Sequence, residues 1–316
     1  MPTAKPKVKR PKMTRYSFKD FERDFPTDDA CLEWLKNYLY PAGIFCETCN
    51  AITKHHKVAS RKSYSCQFCG HHVHPTADTI YHKSSTSLRT WFHAIYLMAS
   101  TRCGISAKQL ERETGVTYKT AWRMFKQIRK MLQEDHDPFT GSVEADESFF
   151  GGKAKNMHKD VRARKITGRG VSGKTVVAGV LQRQGKVVAK VVTDTEANTL
   201  IPFLEARVLP STMVYTDECP SYNSLPGSGY EHRRVHHSAK VYVKADAHTN
   251  GIEGFWSLVK NGLRGVNHSV SAKYLQTYLD EYSFRYNRRH DVIPMFESIM
   301  KQVEKQNLIA EDDEAA

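Results

Sequence analysis

Four cysteines constrain this chain more tightly than any other feature. Cys46-x2-Cys49 is followed, after sixteen residues, by Cys66-x2-Cys69. Each CxxC turn aims two thiolates at one point, and the intervening KHHKVASRKSYS is short and alternating enough to form a hairpin that brings the two pairs together. This is the spacing of a zinc ribbon. With all four positions filled by sulfur no coordination place is left for water, so the Zn²⁺ is expected to be structural. Disulfides are the competing reading and need an oxidising compartment. Residues 1–15 are basic and Pro-rich and lack the apolar centre of a secretory signal. Cys31, Cys103 and Cys219 have no partner at ligand spacing and read as small buried hydrophobes.

A ribbon of this kind accounts for a small part of 316 residues, a length that allows two to three domains. With 40 % hydrophobic residues there is enough apolar material to bury a core, which excludes wholesale disorder. No stretch approaches the roughly 18 apolar residues of a membrane span, so a soluble, cytoplasmic protein is expected. Lys and Arg outnumber Asp and Glu by 47 to 34, a formal charge of +13 that attracts polyanions and makes nucleic acid the first partner to consider. The ends read as solvated tails: residues 1–15 hold six basic and no acidic groups, and residues 311–314 are EDDE.

Downstream of the ribbon, Leu88, Trp91, Phe92, Ile95, Tyr96 and Met98 recur at helical spacing and predict a core-facing stripe. ISAKQLERETGVTYKTAWRMFKQIRKML then divides into a helix near 106–113, a turn at Thr114, Gly115 and Val116, and a second helix capped by Thr117. Leu110, Val116, Ala121 and Phe125 would pack the two helices together. Tyr118, Lys119, Arg123 and Lys126 would remain outside to meet DNA, as in a helix-turn-helix. An ordinary helical hairpin with solvated charges is the alternative.

Beyond Pro138 the texture becomes β-rich: SVEADESFF, TVVAGVLQRQ, KVVAKVVTD and TMVYTDE, with a helix expected over 195–208. That order of three strands, helix, strand and late helix is the one expected of a ribonuclease-H-like α/β domain with a mixed sheet. Three carboxylates stand where such a domain would present them: Asp146 in VEADES, Asp217 in VYTDE and Glu253 in HTNGIEGFWSLVK. Converging carboxylates of this kind hold the divalent cations, Mg²⁺ or Mn²⁺, that assist phosphoryl transfer, whereas one acid alone is most often merely solvated. Strand alternation would turn Glu147 and Glu218 away from their neighbouring aspartates.

Taken together, the four cysteines, the following TADTIYHKSSTSLRTWFHAIYLMAS, VEADESFFGGK, VYTDECPSY, HTNGIEGFWSLVKNGLRG and the closing SFRYNRR resemble the bacterial insertion-sequence DDE transposases with an N-terminal zinc ribbon, the ISXO-two-like group. The resemblance spans roughly residues 20–289. It implies metal-dependent DNA strand cleavage and strand transfer, with Asp146, Asp217 and Glu253 as the acidic triad, two bound cations, and Lys260 as part of the site. It also implies double-stranded DNA as partner, both the element's terminal repeats and the target, a homodimer or larger assembly, and a place at the bacterial nucleoid. Glu253 and Lys260 are two helical turns apart and share a face. Asn250 shares it too and is the alternative third residue, although a carboxylate neutralises a cation and an amide does not.

Residues 151–174 hold eight Lys or Arg, one Asp and five glycines and read as a flexible basic loop. Lys153, Lys155, Lys159, Arg162, Arg164 and Lys165 are its candidate contacts to the DNA backbone. The expected organisation is a basic tail (1–19), a zinc ribbon with leading helix (20–82), a helix-turn-helix domain (83–137), a ribonuclease-H-like DDE catalytic domain (138–300) and an acidic tail (301–316). A zinc-ribbon DNA-binding regulator with an inactive ribonuclease-H-like domain, and a nuclease of the same fold, remain the alternative functions.

Overall fold

The computed structural model describes residues 14–152, 154–166, 173–235 and 248–303, which fall into two compact units divided at Leu132 and Asp291. Both tails beyond these limits, and Lys153, lie outside the described residues.

The first unit begins with two short helices, α1 (Phe18–Asp24) and α2 (Asp28–Leu39). Ser17 and Asp20 close a capping box on α1, and Thr27 caps α2, so each helix starts where a side-chain oxygen meets its orphan amides. The ribbon follows as β1 (Phe45–Cys46), β2 (Ala51–Ile52), β3 (His55–Lys57), β4 (Tyr64–Cys66) and β5 (His72–Val73). β3 and β4 are the expected hairpin, pairing His55 with Cys66. Helix α3 (Leu88–Ser100) buries the predicted stripe except for Tyr96, which is half-buried. Its first amides, those of Leu88 and Arg89, donate to the Asp28 carboxylate at 3.1 and 2.9 Å, tying α3 to α2. Phe21, Phe25, Phe92 and Phe296 form the aromatic centre of this unit. Phe296 arrives on the helix Met295–Met300, which lies within the segment expected to close the last domain.

Helices α4 (Ala107–Thr114) and α5 (Tyr118–Met131) complete this unit. Gly115 ends α4 at φ +69°, the left-handed conformation a residue with a Cβ rarely takes, and Thr117 accepts the Thr120 amide at 3.3 Å to start α5. Leu110, Ala121 and Phe125 are fully buried between the two helices.

The second unit is built on one five-stranded sheet. Its strands are β6 (Ser142–Phe150), β7 (Thr175–Gln182), β8 (Val187–Val192), β9 (Met213–Thr216) and β10 (Glu231–Arg234). Their spatial order is β10-β9-β6-β7-β8, with β6, β9 and β10 parallel and β7 and β8 antiparallel to their neighbours. The sheet is therefore mixed. One face packs on α7 (Ala197–Glu205), through Val143, Ala145, Leu200 and Leu204. The other packs on α8 (Asn250–Gly262) and α9 (Ala272–Asn287), through Val177, Leu181, Phe255 and Val259. Each large side chain so buried contributes about 1.5–3 kcal/mol.

Three features depart from the sequence reading. β10 was not expected, because EHRR carries no apolar alternation and is drawn into the sheet by parallel pairing with β9. The basic stretch after Gly152 is not simply loop: it contains a short 3₁₀ turn, Ala154–Asn156, and helix α6 (Lys159–Lys165), whose KDVRARK consists largely of good helix formers. Of the three unpaired-by-spacing cysteines only Cys31 is buried; Cys103 is exposed and Cys219 half-buried.

Candidate active site

The carboxylates come together where β9 stops beside the middle of β6. Parallel pairing of β6 with β9 runs to Glu144↔Tyr215, so Asp146 and Asp217, two residues further on each chain segment, continue the same row. Asp146 faces α8, where the Trp256 indole N–H donates to its Oδ2 at 3.0 Å. Burial pushes the Asp146 carboxyl up to about 6, and the nearby Asp217 and Glu253 charges push in the same direction. Asp217 stands just beyond β9, its Oδ1 accepting the Cys219 amide at 2.9 Å.

Glu147 is turned away from Asp146 as alternation predicts, but not away from Asp217. It does project from the opposite face of β6 to Asp146, and there the Tyr222 hydroxyl donates to it. Yet donor atoms of Glu147, Asp217 and Cys219 come within 4.8 Å of one another. Alternation separates side chains only along a pleated strand, and Asp217 lies past the end of β9, where both faces of β6 are within reach. Burial pushes Glu147 up to about 7, against the pull of the Tyr222 hydrogen bond. Glu218 is exposed.

Glu253 sits exposed on the first turn of α8, and its Oε1 accepts from the Thr249 hydroxyl at 2.8 Å. Asn250, also exposed, opens the same helix. Lys260, two turns on, is half-buried with its Nζ 5.5 Å from the centre of the Phe150 ring. Burial holds the Lys260 amine below its usual range, as does Arg264, while Asp146 acts in the opposite sense. Asp146, Asp217, Glu253 and Lys260 are thus brought to one region by β6, β9 and α8. Of these carboxylates Asp146 is raised by burial, as is its neighbour Glu147, and the donor atoms that converge within 4.8 Å are those of Glu147, Asp217 and Cys219.

Two supports of this region were not read from the sequence. Gly179 pairs with Asp146 across β6 and β7, and a Cβ there would lie 2.6 Å from the Trp256 ring; its bareness leaves the space in which the indole reaches Asp146. Glu144 is 1 % exposed, beneath the start of α8. Its Oε2 accepts the Ile252 amide at 3.0 Å and its Oε1 the Arg183 Nε–H at 3.0 Å. Arg183 in turn donates to the His248 carbonyl at 2.7 Å and lies 3.8 Å over the Tyr215 ring. A buried carboxylate thus satisfies an orphan amide at the helix N-terminus and anchors the helix that carries Glu253. The signal in the sequence was an acid two residues before Asp146, on the same face of the strand.

In the ribbon, Cys46 Sγ lies 3.4 Å from Cys69 Sγ, Cys49 Sγ lies 3.8 Å from Cys66 Sγ, and all four fall within 4.8 Å of one another. Sulfurs about 2.3 Å from a tetrahedral zinc stand about 3.8 Å apart, so the four thiols fit the ion. The Cys69 amide and the Thr53 hydroxyl bring the Cys66 thiol down to about 5, while the adjoining Cys69 thiol pushes Cys49 up to about 12 and burial raises Cys46.

The residues expected to meet DNA are spread over both units. Tyr118, Lys119 and Arg123 are exposed on α5, and Lys126 is half-buried with its Nζ over the Trp122 ring. Lys155, Lys159, Arg162 and Arg164 are exposed beyond β6; Lys153 and the side chain of Lys165 lie outside the described residues.

Similarity to known proteins bears on these features. A family model described as a transposase zinc-ribbon domain matches residues 26–72, and one described as an ISXO2-like transposase domain matches residues 138–287. The chain is 27 % identical over 272 residues to an uncharacterized protein in transposable element ISH50 of Halobacterium salinarum, covering 81 % of this chain and 91 % of that one. It is 33 % identical over 124 residues to an uncharacterized transposase-like protein of Haemophilus influenzae, covering 39 % of this chain and 98 % of the relative. Among solved structures it is similar to a chain of a pre-cleavage Mos1 transpososome, with TM-score 0.26, 13 % identity and coverage of 67 % and 79 %. A simian T-cell lymphotropic virus intasome in complex with PP2A regulatory subunit B56 gamma gives TM-score 0.28, 14 % identity and coverage of 60 % and 65 %. The two family matches along the chain, together with relatives named for a transposable element and as transposase-like, place this protein in the family of ISXO2-like, zinc-ribbon insertion-sequence transposases.

Proposed function

We propose that this transposase binds the terminal repeats of an insertion sequence and catalyses DNA strand cleavage and strand transfer, with Asp146, Asp217 and Glu253 as its acidic triad. The observation that carries the reading is the row formed by Asp146, in the middle of β6, and Asp217, just past the end of the neighbouring parallel β9, faced by the helix bearing Glu253. The strand order, with the first three strands antiparallel and the next two parallel, supports a ribonuclease-H-like catalytic domain.

Two Mg²⁺ or Mn²⁺ ions held by the triad would supply the Lewis acidity that favours attack and departure at phosphorus. The chain's own part is to fix geometry. The Trp256 indole and the Glu147 amide hold the Asp146 carboxylate in place. The Glu144 and Arg183 anchor keeps α8 at a set height over the sheet, so Glu253 and Lys260 approach together. Lys260 positions a phosphate oxygen beside the acids. Cleavage and joining are both in-line displacements, with water and then the freed 3′-hydroxyl as nucleophile, so one site serves both.

Readout is assigned to the ribbon and to α5, acting as the second helix of a helix-turn-helix with Tyr118, Lys119, Arg123 and Lys126 toward the bases. Lys155, Lys159, Arg162 and Arg164 contact backbone near the cut. Pairing of two ends calls for a homodimer or larger assembly on DNA. The test is cleavage and strand transfer of linear DNA carrying the element's ends, with Mg²⁺ and with EDTA. Asp146→Asn, Asp217→Asn and Glu253→Gln each lose both reactions and keep end binding. Near-normal cleavage by Glu253→Gln, with loss in Asn250→Ala, moves the third role to Asn250.

A further inference from the structure

Beside the acidic row lies a cleft of about 490 Å³, of whose lining only Lys155 and Lys260 have a role in the reading above. Phe149, Phe150, Gly151 and Gly152 at the end of β6 form one wall. Lys260, Leu263 and Arg264 form the second, at the end of α8 and in the π-helical turn Leu263–Asn267 that follows it. Its volume falls in the range of sites that take a small organic ligand, about 300–1,000 Å³. The π-helical turn widens the chain just where α8 would otherwise close the space, and such turns gather at functional sites.

The lining has two characters. The inner surface is apolar and in part aromatic: Phe150, Leu263 and Leu275 are each buried to within 8 % of full exclusion, and Phe149 and Val270 join them. The charged groups are of one sign. Lys155, Lys260 and Arg264 border the cleft, and among the described residues lining it there is no carboxylate. Lys260 feels this: Arg264 and Lys174 join burial in disfavouring its charge. Gathered cations suit an anion, but a phosphate alone has no use for an aromatic, apolar interior. A nucleotide has both parts, a base with π-faces and a charged phosphate.

The place of the cleft narrows the ligand further. Glu253 and Lys260 are seven residues apart on α8, about 10 Å along the helix axis, or roughly three base-pair rises of one strand. We propose that the cleft between the end of β6 and the end of α8 takes one unstacked base of the DNA strand, within about three nucleotides of the scissile phosphate, with its flanking phosphate on Arg264 and Lys155. The proposal rests on the transposase reading above. Drawing one base from the stack fixes the strand's register against the acids, since the base is held between the walls of the cleft while the backbone alone could slide.

The probe is duplex DNA carrying the element's end with 2-aminopurine at each of the three positions on either side of the cut, bound by the full chain with Ca²⁺ in place of Mg²⁺. Emission is expected to rise about threefold or more at one position and to stay near the duplex level at the others. Val270→Trp, which fills the cleft, or Ser269→Trp at its exposed rim, is expected to remove that rise and weaken end binding by about tenfold. An abasic site at the same position should restore binding to these variants, a rescue that misfolding would not permit. No rise at any position, on DNA that the wild-type chain cuts in Mg²⁺, overturns the cleft and leaves the transposase reading standing. A chain that binds the ends in Mg²⁺ and never cuts them overturns both.

Discussion

Replacing Arg183 by Met leaves the Glu144 carboxylate 1 % exposed with its guanidinium partner gone, while the methionine stem still covers Tyr215. Removing one member of a buried ion pair costs about 3–5 kcal/mol, and here the remaining carboxylate keeps, among the described residues, only the Ile252 amide at 3.0 Å and the His248 ring at 3.2 Å. Arg183 keeps 19 % of its side chain in solvent, which places the expected loss near the low end, about 3 kcal/mol. For a unit of this size that corresponds to a fall in melting temperature of roughly 6–12 °C. Glu144→Gln removes the charge but keeps an oxygen for the Ile252 amide, and should cost about 1–2 kcal/mol. In the double variant neither charge is buried, so its loss should fall short of the two single losses together by at least about 1 kcal/mol. Scanning calorimetry of the full chain measures all four proteins. The cleavage rate reports whether α8 stays in place: Arg183→Met should lose rate more than end affinity, because Glu253 rides on the helix that the pair anchors. Strict additivity, or an Arg183→Met protein within about 0.5 kcal/mol of wild type, would refute the anchor.

Gly179→Ala sets a methyl against the Trp256 ring at 2.6 Å, so the indole must leave Asp146; a loss of about 1–3 kcal/mol and a shift in tryptophan emission are expected, against an unchanged spectrum if the indole is elsewhere. Burial raises the Asp280 carboxyl to about 6, so its favourable contribution is complete below about pH 4 and is lost as pH rises through 6. Asp280→Asn should therefore gain about 1–2 kcal/mol in denaturant titrations at pH 8 and nothing at pH 4; equal effects at both would remove the burial argument. Elemental analysis should find about one zinc per chain, lost in Cys66→Ser along with the stability of the ribbon, because metal binding supplies folding energy in so small a module. Arg123→Ala should relax sequence preference, whereas Lys155→Ala with Arg164→Ala should weaken binding to all sequences and flatten its salt dependence; the reverse pattern would reassign readout.

Much of this molecule was legible because its signals are local. Two CxxC turns at sixteen residues' separation specify a metal cage whatever surrounds them, and Gly115 with Thr117 spells a turn between helices through backbone conformation and capping alone. The β-branched runs around Val177 and Val188 and the acids at the ends of SVEADES and VYTD mark strands and their chemical ends. What no local rule could supply is the pairing of elements distant in sequence. Only the parallel register of β9 on β6 sets Asp217 beside Asp146, and only the abrupt end of β9 lets Asp217 meet Glu147 across the sheet edge. EHRR becomes a strand because β9 offers it a ladder, against its own lack of pattern. Glu144, Arg183, Gly179 and Trp256 read singly as an acid on a strand, a loop cation, a flexible residue and a core aromatic. Their joint role arises when α8 is laid over β6 and β7, since buried charge and missing side-chain volume have meaning only against what fills the space around them.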